Sequence, residues 1–68
     1  MEKDKPVAPL IGANGNIFNL LAIAKRTLQK NNLDTEADEM QARVFKCSSY
    51  SEALAVIGEY VVFGQMEQ

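Results

Sequence analysis

The stretch Gly12–Leu28, G-A-N-G-N-I-F-N-L-L-A-I-A-K-R-T-L, constrains this chain more than any other. A glycine-rich turn runs straight into a segment where Ile17, Leu20, Leu21, Ala24 and Leu28 recur at helical spacing. That period lines one face of an α-helix with apolar side chains, and Phe18 and Ile23 widen the stripe. Such a face must be covered, and the chain has only 68 residues to do it with. A domain of that size buries roughly 60% of the surface its unfolded chain exposes, so it often recruits a disulfide, a metal or a partner chain. Cys47 is the single cysteine and histidine is absent, which removes an intrachain disulfide and a structural zinc set. Good helix packing, self-association, or both are left.

In chain order, the charged segment Met1–Pro6 (M-E-K-D-K-P) predicts a frayed tail over 1–6 before a single domain over 7–64. Val7–Ile11 (V-A-P-L-I) is apolar, and Pro9 forbids a helix interior there. A short strand or extended arm follows, with Pro9 on the edge that makes no ladder bonds. Its partner is either the β-like stretch Tyr60–Phe63 (Y-V-V-F) or a second subunit. Asn14-Gly15 predicts a turn with positive backbone dihedrals, and Asn16 an N-cap for a helix opening at Ile17. Asn31 or Asn32 supplies a left-handed C-cap with Leu33 folding back. A second helix is expected to open on Thr35 with Asp38 as a capping box. Ala37, Met40, Val44 and Cys47 form its narrow apolar face, Glu39 is spaced to pair with Arg43, and Phe45 lies off the stripe. Ser49 and Glu52 cap a third helix over about Tyr50–Val62, with Tyr50, Ala53, Leu54, Ile57 and Val61 on its inner face and Val56 and Tyr60 flanking. Gly58 in mid-helix points to a close helix contact. Gly64 is expected to end the ordered part, leaving 65–68 as a tail. The fold class is mainly α: three short helices with an N-terminal extended segment.

Chemistry is sparse. The loop Gly12, Asn14, Gly15, Asn16 precedes a helix, where backbone N–H groups bind anions, but it lacks both the G-K-[ST] ending and the G-x-G-x-x-G spacing of nucleotide loops. An ordinary turn explains it better. Cys47 sits at the helix end that raises a thiol pKa, with no histidine as base, so packing is its expected role. Asp34, Glu36, Asp38 and Glu39 lack the glycine and distal glutamate of a calcium loop and read as helix N-terminal charge. Neither a metal nor a cofactor is expected.

Lys25, Arg26 and Lys30 form a basic group on the first helix, suited to phosphate or simply to the helix dipole. A recognition helix over Tyr50–Val62 would carry Glu52 and Glu59 and no basic residue, and the net charge is −2. Both argue against a nucleic-acid partner. Basic residues stop after Lys46, so a basic first helix opposes an acidic third, a polarity that suits head-to-tail association or a charged protein partner. Apolar residues exceed what three inward stripes hold: Phe45, Val62, Phe63 and Met66 are left over, and the arm adds Leu10 and Ile11. Leu10, Ile11, Phe45, Tyr60, Val62 and Phe63 are the expected interaction residues, facing another protein or a second copy.

No apolar run reaches the roughly 18–20 residues of a membrane span. With a lone thiol and no export signal in the first residues, a cytoplasmic location is expected. The order strand, G-A-N-G-N-I-F, L-L-A-I-A-K-R-T-L, S-S-Y-S-E-A-L and a terminal E-Y-V-V resembles a group of short, uncharacterised bacterial proteins over about Val7–Val62. That resemblance implies a cytoplasmic accessory protein, often encoded near phage-derived or mobile genes, and carries over no activity. The leading expectation is a non-enzymatic, self-associating interaction or regulatory module. A nucleic-acid accessory role at Lys25, Arg26 and Lys30, and a small-anion or nucleotide sensor at Gly12–Asn16, are the alternatives.

Overall fold

The computed structural model describes residues 5–65. Its elements follow in the order β1 (Val7–Ile11), α1 (Ile17–Lys30), α2 (Asp34–Phe45), α3 (Tyr50–Tyr60) and β2 (Val62–Gln65). The fold is mainly α, with three helices set between two short strands. Those strands pair with each other, in parallel. Parallel neighbours need a long crossover, and the three helices together supply it. Val7 lies beside Val62, Ala8 beside Phe63 and Pro9 beside Gly64, after which a bulge shifts Ile11 against Gln65. The N-terminal arm thus finds its partner within the chain.

Several boundaries differ from the sequence reading. The third helix stops at Tyr60, not Val62, and Val61 is already extended (φ −137°, ψ 158°). The run V-V-F is β-branched and aromatic, and pairing with β1 outweighs another half-turn of helix. Gly64 does not end the order but sits within β2, and Gln65 is paired rather than frayed. A Cβ on Gly64 would lie 2.3 Å from Val7 Cγ1, so the close approach of the strands explains the glycine. At the other end, the frayed tail expected over 1–6 is too long. Lys5 Nζ donates to the Gly58 carbonyl (3.0 Å), and the Pro6 carbonyl accepts from Val62 N–H (2.8 Å). The rest of the expected tails, and Met66, fall outside the described residues.

Helix ends are set mostly by local chemistry. Asn16 caps α1, its side-chain oxygen accepting from Phe18 N–H. At the far end Asn31 is the C-cap and Asn32 takes the left-handed conformation (φ 62°). Leu33 N–H reaches the Leu28 carbonyl (2.9 Å) and Asn32 N–H the Gln29 carbonyl (3.1 Å), the paired bonds of a Schellman motif. Leu33 then serves at once as N-cap of α2, without a side-chain cap bond. The expected Thr35–Asp38 box does not form, because the Schellman turn hands the chain directly to Asp34 and leaves Thr35 inside the first turn. On α3, Ser49 Oγ accepts from Glu52 N–H (3.2 Å), while the Glu52 carboxylate reaches one residue further back, to Ser48 N–H (2.9 Å).

The core lies where the three helices and the inner side of the sheet meet. Leu28, Met40, Ile57 and Val61 are its largest fully buried side chains, joined by Leu20, Leu21 and Ala24 of the α1 stripe. Val56 is buried rather than flanking, while Tyr50 is exposed rather than inward. Cys47 is only half-buried, since α2 ends at Phe45 and the thiol lies beyond it.

Candidate interaction surface

Burial alternates along β1: Ala8 and Leu10 are buried, and Val7 is 63% exposed. Val7 and its registered neighbour Val62 stand side by side on the outer face of the sheet, and Ile11 is exposed past the bulge. Of the expected interaction residues, Ile11 and Val62 are therefore accessible. Leu10 is not: at 5% exposed it belongs to the core, because the two-residue period turns it inward. Phe63 is half-buried beside Ala8, and its ring lies 3.6 Å from where a Cβ of Gly58 would be. The close contact expected at Gly58 is thus an aromatic ring from β2 and not a helix. Val7 was missed in the sequence, although the period of V-A-P-L-I separates it and Pro9 from Ala8 and Leu10. Neither strand carries a charged side chain.

A second apolar region lies where α1 begins and α2 ends. Phe18 and Phe45 are 65% and 59% exposed, and their rings meet at 6.4 Å and 59°. Phe18 thus leaves the inward stripe to pair with the residue that fits no stripe of its own. With Ile17, Val44, Cys47 and Tyr50 they line an open groove of about 360 Å³. Its lining contains no carboxylate, amine or guanidinium, and the Cys47 thiol donates to the Arg43 carbonyl (3.4 Å).

The loop before α1 closes on itself. Its positive φ falls on Gly12 (93°), not on Asn14-Gly15, in a turn closed by Ala13 N–H on the Leu10 carbonyl (3.1 Å). Asn14 Oδ1 accepts from Asn16 N–H (2.8 Å), Asn16 Oδ1 from Phe18 N–H (2.9 Å), and Asn19 Nδ2 donates to the Asn14 carbonyl (2.9 Å). The Tyr50 hydroxyl donates to the Gly15 carbonyl and ties the loop to α3. Two amides that an anion would use are already given to asparagine side chains. The basic group is divided as well. Lys25 Nζ donates to Gln41 Oε1 on α2, whereas Arg26 and Lys30 are exposed on α1.

Arg43 does not pair with Glu39 but bridges to α3. Its guanidinium donates to Glu59 Oε1 (2.7 Å) and Oε2 (3.1 Å) and to the Tyr60 hydroxyl (3.2 Å), and the Tyr60 hydroxyl donates on to Glu39 Oε1 (2.8 Å). The bond to Glu59 raises the Arg43 pKa further, and the same bond lowers that of Glu59. Tyr60 is raised, first by its removal from water, with Arg43 opposing and Glu39 adding. Glu52 is lowered by the Ser48 bonds. Tyr60, expected at an interface, thus has its hydroxyl engaged between α2 and α3 and its ring half-buried.

Among the described residues no group of three or more Cys, Asp or Glu side chains could hold a metal ion, and no helix is long and apolar enough to cross a membrane. The chain matches no protein-family model, no curated protein and no solved structure to which it was compared.

Proposed function

We propose that this protein is a small, non-enzymatic interaction module that self-associates through its sheet. One observation carries the reading: a parallel strand pair whose exposed side is apolar and uncharged, with Val7 63% and Val62 42% exposed. Parallel sheets occur almost only where both faces are covered, because their strands are apolar throughout. Here the helices cover one face. A second copy joined to this sheet extends the layer that the helices cover and enlarges a core that is small for independent stability. The lone Cys47, with no intrachain disulfide partner, supports a reducing cytoplasm as the place of action. The closed loop and the engaged Lys25 favour neither an anion sensor nor a nucleic-acid factor.

Sedimentation equilibrium from micromolar to millimolar chain tests the reading. The expected mass rises from 7.5 kDa toward twice that value. Val62→Lys, at an exposed position, is expected to return it to the single-chain mass with an unchanged far-ultraviolet spectrum. A wild-type chain that stays monomeric at millimolar concentration refutes the proposal.

A further inference from the structure

The two edges of the sheet differ. Val62 N–H donates to the Pro6 carbonyl, which sets the phase of the ladder. Backbone groups alternate sides along a strand, so those of Ala8 point toward β2 while those of Val7 and Pro9 point away from it. Pro9, which has no N–H, therefore interrupts the free edge of β1, as the sequence leads one to expect. On β2 the same alternation turns Val62 and Gly64 toward β1 and directs both the N–H and the C=O of Phe63 outward. Among the described residues the sheet ends there, with two strands in the order β1-β2. Among the described residues, no helix carbonyl, turn or side chain takes up the Phe63 N–H or C=O. The strand itself, V-F-G-Q, carries neither the lysine nor the proline that usually guards an edge.

We infer that the free edge of β2 is the self-association site: β2 of a second copy adds antiparallel across a twofold axis, giving a four-stranded sheet in the order β1-β2-β2-β1. The partner is a second copy because this edge is complementary to itself. Donor and acceptor of Phe63 point the same way, and an antiparallel twofold lets such residues satisfy each other's N–H and C=O reciprocally. Charge agrees, since two uncharged strands meet without like charges opposed and without desolvating an ion. The reciprocal main-chain bonds of Phe63 set register and orientation, as in other strand-addition complexes, and the apolar side chains of the joined strands add burial. Val62 lies on the strand next to the axis. Val7 lies one strand further out, so two copies of it stand three strand spacings apart, about 14 Å.

The inference rests on the proposed self-association and is tested apart from it. Amide exchange of the wild-type chain is followed by NMR at low and high concentration, with sedimentation run in parallel. The Phe63 amide is expected to exchange about tenfold more slowly, or better, in the dimer, while the Val62 amide, bonded within the chain, serves as an internal reference. Val62→Lys is expected to dissociate the dimer and Val7→Lys to leave it intact. A dimer in which Phe63 exchange is independent of concentration overturns the edge and leaves self-association standing. A dimer lost equally in Val7→Lys and Val62→Lys also overturns it, and points to packing of sheet faces. A chain that is monomeric throughout overturns both.

Discussion

Where α2 meets α3, Arg43, Glu59, Tyr60 and Glu39 hold one another in a chain of hydrogen bonds, whereas the sheet of β1 and β2 turns two valines and an unpaired backbone edge outward. The first region is polar, exposed and self-sufficient: its charges and its phenol have partners within the chain. The second is uncharged and half-finished. Exposed ion pairs contribute little to stability, so the first can be altered at small cost. Apolar area and open ladder bonds are expensive to leave in water, so the second is the region on which the proposed self-association rests.

The largest test of that contrast lies within the sheet, between consecutive residues. Leu10→Ala removes a buried side chain and is expected to cost about 2–4 kcal/mol of unfolding free energy, whereas Ile11→Ala, 51% exposed past the bulge, should change it by less than about 0.5 kcal/mol. Urea denaturation of the two variants measures the difference, and equal losses would deny the inward and outward sorting. Gly64→Ala comes next. Its Cβ would meet Val7 Cγ1 at 2.3 Å, so a cost of about 1–2 kcal/mol is expected. Adding Val7→Ala should recover most of it in a double-mutant cycle.

Gly58→Ala should act in the opposite direction. Its φ is not positive and the nearest group to a new Cβ is the Phe63 ring at 3.6 Å, ordinary contact, so helix propensity predicts a gain of up to roughly 1 kcal/mol. The smallest effect is expected on the polar side. Glu59 and Glu52 have pKa values held below those of an unfolded glutamate, so each contributes stability above that unfolded value and loses it as pH falls through the lower, folded one. Glu59→Gln should flatten the acid limb of the stability profile below about pH 5 and leave the neutral-to-alkaline limb unchanged.

Much of the fold can be read along the chain. The α1 stripe, the caps at Asn16 and Ser49, and the asparagines that end α1 follow from spacing and side-chain chemistry within a few residues. The misreadings share a cause. Thr35–Asp38 looks like a cap only if Leu33 is ignored as the hinge, and Val61-Val62 reads as the end of a helix as readily as the start of a strand until β1 is present to pair with it. Leu10 and Ile11 read together as one apolar arm, although alternation along V-A-P-L-I assigns Leu10 to the core and leaves Ile11, past the bulge, to solvent. Phe18 sits on the margin of the α1 stripe, roughly 100° from its centre by helix geometry, and only the fold shows that its partner there is Phe45, delivered by α2.

Short-range order was written in the residues because turns, caps and apolar periods are decided by neighbours within about one helical turn. The parallel pairing of β1 with β2, the bridge from Arg43 to Glu59 and the open edge at Phe63 were settled only when segments between 16 and 55 residues apart came together in the folded chain. Backbone groups bond to whichever strand arrives beside them, and a strand's own residues do not name that neighbour.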